Sequence, residues 1–264
     1  MTASRRRPAG VIRTAIARHP ISAYTVIAFG STWAMTGLLS VSLMFGLIAL
    51  FGPTVGAVVV SWADGSLMEL RQRLTAWRSP RSFAIALGIP FAVAGIAAGL
   101  WAIAGHGAPG LGSVSAIELV IFVLVIGEET GWRGFLLPRL RGHLSLPAAG
   151  IISGIVWTLW HLPLYLQPGQ GLAGFAAFAW WVIPFAVVMA FVVERARFSI
   201  LVATVMHGAG NIALPLLLPG VDRTWTLAAT GTIYMVIAGA LVIHSVVTSR
   251  RPSMARFHSK EVAA

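Results

Sequence analysis

Long apolar runs, separated by short polar or arginine-bearing segments, dominate the chain. A helix that crosses a membrane needs about 20 mostly apolar residues. The pattern predicts eight such spans, at roughly residues 20–38, 42–63, 82–104, 116–138, 147–166, 172–193, 198–218 and 226–248. The expected fold class is therefore all-α: a polytopic membrane protein of about eight transmembrane helices, with a polar site within the helix bundle. The expected plan is a basic cytoplasmic N-terminal segment (1–19), one eight-span domain (20–248) and a basic cytoplasmic tail (249–264). No cleavable signal peptide is expected, because the basic start leads into an apolar segment without a small-residue cleavage site. Between the second and third spans, "LMELRQRLTAWR" sets Leu67, Leu70, Leu74 and Trp77 at helical spacing among arginines. That predicts a short helix lying on the cytoplasmic interface.

Charge supports this reading. Only 10% of the 264 residues are charged and 57% are hydrophobic, whereas a soluble domain carries about 25% charged residues. The net charge of +11 does not point to nucleic acid, because the basic residues sit at the termini and between apolar stretches. If the N-terminus is cytoplasmic, eight spans put almost every interspan arginine on the cytoplasmic side and leave Arg223 alone on the other. A miscount by one span would scramble that alternation. Cysteine is absent, so disulfides and thiolate metal sites are excluded. The Arg, Ala, Gly and Val bias points to a GC-rich bacterial genome, and so to a bacterial inner membrane as the expected location.

Ionisable groups inside the hydrocarbon region are costly and usually functional. Here they are Glu128, Glu129, Arg133, His161 and His207, joined by the only asparagine of the chain, Asn211. Glu129 and Arg133 are four apart and share a helix face, as do His207 and Asn211. Glu128 is rotated about 100° from Glu129, so the two carboxylates need not do the same work. Spans four and five form a hairpin whose turn lies midway between Glu128 and His161, which predicts equal depth for the two. Glu128 and His207 each lie about 15–16 Å of helix from the nearest cytoplasmic arginine. Glu129 with Arg133 is also readable as a purely structural pair, and a single membrane histidine as a packing residue. The small residues Gly150, Gly154, Gly208 and Gly210 permit close helix approach.

Such a set suits hydrolysis of a peptide bond, which needs an activated water and donors for the oxyanion. A buried carboxylate is a usable base near neutral pH. A zinc site with Glu128, His161 and His207 as ligands and water as the fourth is also compatible, although the HExxH signature is absent. No cofactor is required by the sequence; a divalent metal such as zinc is the one the residues would suit.

The same residues resemble the CPBP family of CAAX proteases and bacteriocin-processing enzymes, whose relatives include the type II CAAX prenyl endopeptidases. The family's EExxxR is matched by Glu128, Glu129 and Arg133 in "EETGWRG". An aromatic residue preceding a histidine is matched by Trp157 and His161, with tryptophan where phenylalanine is commoner. HxxxN is matched by His207 and Asn211 in "HGAGN". The resemblance covers roughly residues 20–248, with its specific part at 127–211. It implies an intramembrane endopeptidase, described in the family both as a metalloprotease and as a metal-independent glutamate protease. It further implies that Glu128 activates water with His161, that His207 and Asn211 form the oxyanion site, and that Glu129, Arg133 and Trp157 support them, Glu129 also orienting His161. The expected partners are the bilayer and a membrane-embedded or membrane-associated peptide or protein. A proton- or ion-coupled transporter and a catalytically silent scaffold of the same fold are the alternatives.

Overall fold

The computed structural model describes residues 10–38, 42–167 and 171–249. The arginines at positions 5–7 and the basic tail from Arg250 onward lie outside the described residues, so the two terminal segments of the expected plan are only partly covered. Among the described residues the structure is helical, without strands. The chain is an all-α polytopic membrane protein, as its pattern predicts.

The predicted spans map onto helices, several of them broken. The first is α2 (Pro20–Thr36), preceded by α1 (Val11–Arg18), a helix the sequence reading left within the basic N-terminal segment. The second is split into α3 (Leu43–Ala49) and α4 (Gly52–Asp64). Pro53 opens α4, where its missing N–H costs nothing. Next come the short helix α5 (Leu67–Thr75) and the third span, α6 (Pro80–Trp101), which ends in a wide π turn over Ala102–His106. The fourth span is segmented into α7 (Ala116–Leu124), α8 (Ile126–Gly131), a π-helical stretch over Trp132–Leu136, and α9 (Leu137–Arg141). The fifth is α10 (Leu146–Trp160) and the single turn α11 (Leu162–Tyr165). The last three are α12 (Gly171–Arg195), α13 (Ile200–Leu217) and α14 (Arg223–Ser249).

Among the described residues, five helices are long and apolar enough to cross a membrane unaided: Met44–Asp64, Pro80–His106, Gly171–Arg195, Ile200–Leu217 and Arg223–Thr248. The other three predicted spans fall short of that measure. α2 has 17 residues and α10 has 15, and the fourth span is interrupted. Large apolar side chains such as Trp62, Ile96, Ile103, Val123 and Val236 point outward, as they must where the surrounding solvent is lipid. On α5, Leu70 is buried, Leu74 half-buried and Leu67 exposed; Trp77, also exposed, lies beyond the end of the helix, which stops at Thr75.

α12 is the most enclosed of the five long helices, packed between α10 and α14; α2 packs on α4, and α6 on α13. Into this frame α8 fits at backbone distance. A methyl on Gly127 would come 2.9 Å from the carbonyl of Leu50 and one on Gly131 2.7 Å from the carbonyl carbon of Pro53. The seam holds the segment bearing both glutamates against α4.

Polar contacts define the two ends of the bundle. At one end Arg139 pairs with Asp64 at 2.7 Å, Arg141 with Glu194 at 2.6 Å, and Arg78 donates to the carbonyl of Ala196 at 2.9 Å. At the other, Gly112 N–H donates to the carbonyl of Leu216 at 2.8 Å, and the Trp101 ring packs edge-on against Trp225.

Candidate active site

Glu128 and Glu129 are adjacent, buried and differently engaged. Glu129 Oε1 accepts from Arg133 Nη1 at 2.8 Å and from His207 Nδ1 at 2.8 Å. Its Oε2 is buried without a partner among the described residues. Arg133 also reaches Met189 Sδ and lies 4.1 Å over the ring of Trp157. Glu128 accepts from the indole N–H of Trp157 at 2.8 Å through Oε2, and no hydrogen bond engages its other oxygen among the described residues. The 100° rotation expected between the two carboxylates is thus realised: one belongs to the helix interface, the other to a cavity.

That cavity, of about 590 Å³, is lined by Glu128, Trp157, His161, His207 and Asn211. A second, of about 630 Å³, shares Asn211, Ile121, Phe178, Trp181 and Arg223 with the first and adds Leu218 and Val221. Asn211 therefore stands on the wall common to both. The sequence-predicted site residues all come together, apart from Arg133 and Glu129, which lie behind the wall and hold it.

His161 is where α10 stops. Pro163 removes an N–H and its ring crowds the carbonyl four residues back, so the helix cannot run on. The His161 ring turns back on the same helix, its Nδ1 2.9 Å from the carbonyl of Trp157. A carbonyl only accepts, so Nδ1 carries the proton; in a neutral imidazole Nε2 is then the acceptor. His207 likewise commits Nδ1 to a carboxylate.

Two details differ from the sequence reading. The direct partner of Glu128 across the α8–α10 contact is Trp157, one turn before His161. The hairpin count assumed uniform helices, whereas the fourth span contains a π-helical stretch, which adds a residue per turn. Also, Glu129 orients His207, not His161. The role of Trp157 as an N–H donor was missed; the substitution of tryptophan for phenylalanine was its only signal. As for a metal, no three His, Asp or Glu side chains converge as a ligand group among the described residues. Glu128, His161 and His207 line one cavity but do not form a closed ligand set among the described residues.

Residues 110–213 match the family model described as type II CAAX prenyl endopeptidase Rce1-like. That segment contains every site residue from Glu128 to Asn211. CAAX prenyl protease 2 of the archaeon Methanococcus maripaludis is 28% identical over 134 residues, covering 47% of this chain and 49% of the relative. The chain spans about half the length of the curated relative it matches. Both findings support a CPBP/CAAX-protease family for this chain.

Proposed function

We propose that the protein is an intramembrane endopeptidase that hydrolyses a peptide bond in a membrane-associated peptide or protein, with Glu128 activating the water. The observation that carries this is the state of Glu128: a buried carboxylate, fixed through one oxygen by Trp157, with the other oxygen unengaged and the side chain lining a cavity. In the proposed step, water donates a proton to Glu128 as its oxygen attacks the scissile carbonyl. His161 Nε2 accepts the second water hydrogen bond and orients the nucleophile. The oxyanion is received by the amide N–H of Asn211 and by His207. His207 can donate there only as the imidazolium, since Nδ1–H is spent on Glu129 and Nε2 must then carry its own proton. Protonated Glu128 passes its proton to the leaving amine, and the C–N bond breaks.

A CAAX-type substrate is suggested by the names of the family and of the relative. The composition of this chain favours a bacterial membrane as the setting, with both termini cytoplasmic, and so a peptide or membrane protein of such a cell. Cleavage of a quenched fluorescent peptide library, with a prenylated CAAX peptide in the set, by the detergent-solubilised protein tests the reading. Wild type should cleave at least one member and Glu128→Gln none, with unchanged elution on size exclusion. Equal cleavage by both would sink it.

A further inference from the structure

Arg195 ends α12, and two cavities that do not include Glu128 meet at it. One, of about 650 Å³, lies between the start of α10 and the ends of α12 and α14. Its polar wall includes Arg141, Ser145, Glu194, Arg195, His244 and Thr248. The other, of about 240 Å³, is a mostly apolar slot between α6, α12 and α14, running past Ile85, Ile89, Val188, Ile237 and Leu241. Phe191 and Arg195 belong to both.

Their order along the helices is that of an amphiphile. On α14 the slot uses Ile237 and Leu241, and the polar cavity the stretch from Val242 to Thr248. The polar cavity is therefore nearer the helix end, and the slot begins where it stops. Along α12 the slot runs from Val188 to Arg195, about 10 Å at 1.5 Å per residue. The helices α6, α12 and α14 are each long and apolar enough to cross a membrane. Ile85 is 40% exposed, and Arg195 and His244 are exposed, so the slot and the polar cavity both reach the surface of the bundle.

The charges of the polar cavity leave a positive remainder. Arg141 Nε is held by Glu194 at 2.6 Å, so that pair is neutral. Arg195 spends one N–H on the carbonyl of Phe191 at 3.1 Å and has no carboxylate partner among the described residues. A guanidinium carries five N–H groups, so most of this one is left to meet a ligand. Ser145 Oγ accepts from the Ala148 N–H at 3.4 Å, which leaves its own O–H to donate. The His244 ring makes no hydrogen bond among the described residues and adds a further donor. One net positive charge with several donors suits one phosphodiester, and an apolar slot continuing from it suits a hydrocarbon chain. We infer that this site holds an anionic phospholipid, its phosphate against Arg195 and His244 and one acyl chain in the slot beneath. A zwitterionic lipid would bring its own cation against Arg195, and a free phosphate would leave the slot unfilled. The inference does not rest on the endopeptidase reading, since neither cavity contains Glu128 or its partners.

Native mass spectrometry of the full chain, released from detergent, reads bound lipid directly. The protein is titrated with phosphatidylglycerol, with phosphatidylcholine of the same chains, and with inorganic phosphate as a competitor. Wild type should hold phosphatidylglycerol about fivefold more tightly than phosphatidylcholine, the usual effect of one cation facing an anionic lipid, and excess inorganic phosphate should not displace it. Arg195→Gln should lose that preference and His244→Gln should reduce it, whereas Arg71→Gln, on α5, should keep it. Ile85→Trp, which fills the slot from its exposed wall, should weaken the binding of both lipids. Each variant is matched to wild type on size exclusion before titration. Equal retention of the two lipids by wild type, or a preference that survives both Arg195→Gln and His244→Gln, would overturn the site. An equal loss in Arg71→Gln would reduce it to attraction by net charge and overturn it too. Displacement by inorganic phosphate would assign the cavity to a free anion, and unchanged binding in Ile85→Trp would remove the acyl chain from the slot; either result overturns the lipid. No cleavage is read in this experiment.

Discussion

The indole N–H of Trp157 donates to Glu128 Oε2 at 2.8 Å, so the proposed base and the aromatic residue of the neighbouring helix are a single unit. The same ring carries Arg133 on its face and meets the edge of His207, with centroids 4.9 Å apart. Trp157→Phe keeps the ring and removes one donor. A hydrogen bond to a charged group contributes about 1.5–3 kcal/mol, a factor of roughly ten to a hundred. The expected result is a fall of that size in kcat with KM little changed. An unchanged kcat would show that the bond does not position Glu128.

Glu129 is asymmetric with respect to Arg133. Removing one member of a buried ion pair costs about 3–5 kcal/mol. Glu129→Leu strands both Arg133 and His207, whereas Arg133→Leu strands Glu129 only. Thermal-shift measurements in detergent should rank Glu129→Leu as the less stable of the two. The double replacement should regain part of the stability without regaining turnover, because His207 is then unheld. Two single variants as stable as wild type would contradict the pairing.

Asn211→Ala should slow cleavage by about 10²–10³, the usual loss for one oxyanion donor, with the melting temperature preserved, since no hydrogen bond of its side chain is broken among the described residues. A variant at full speed would remove Asn211 from the mechanism.

Chelator treatment separates the two chemistries described for families of this kind. Water activated by Glu128 alone predicts the same rate before and after exhaustive dialysis against a chelator. Loss of activity that returns with added zinc would assign a ligand role to Glu128, His161 or His207 that the geometry among the described residues does not favour.

Glycine packing gives a structural test free of any assay. A methyl on Gly208 would fall into the ring of Phe122 on α7, at 2.7 Å from Cγ, whereas on Gly210 the nearest atom is 3.4 Å away. Overpacking costs typically 1–3 kcal/mol. Gly208→Ala should lower thermal stability by an amount in that range and Gly210→Ala should leave it nearly unchanged.

Some of this was legible in the residues. The Glu129–Arg133 bond follows from spacing alone, since residues four apart on a helix are neighbours whatever surrounds them. The meeting of the three polar helices followed from their depth within apolar spans. What the spacing could not supply was phase across helices. The breaks near Val125 and His161 depend on how α8 packs against α4 and how Pro163 ends α10, and these set which residue faces Glu128. The hairpin count therefore came within one turn, at His161, and missed Trp157. The helix α1 and the breaks in the spans were lost for a similar reason. Hydropathy reports the length of an apolar run but not its interruptions.

The π-helical stretch over Trp132–Leu136 has a consequence for how this site tolerates change. Two neighbouring carboxylates meet different surroundings because the helix presents them at different angles, so the site is encoded as a phase as much as a set of residues. A single-residue deletion between Val125 and Glu128 would turn the helix by about 100° and present the wrong carboxylate to the cavity while leaving the letters of the motif intact. Beyond Arg133 the wide turn already holds one surplus residue, so the loss of one residue there can be taken up by tightening to ordinary α-helix. Single-residue deletions should therefore be tolerated beyond Arg133 and inactivating before Glu128.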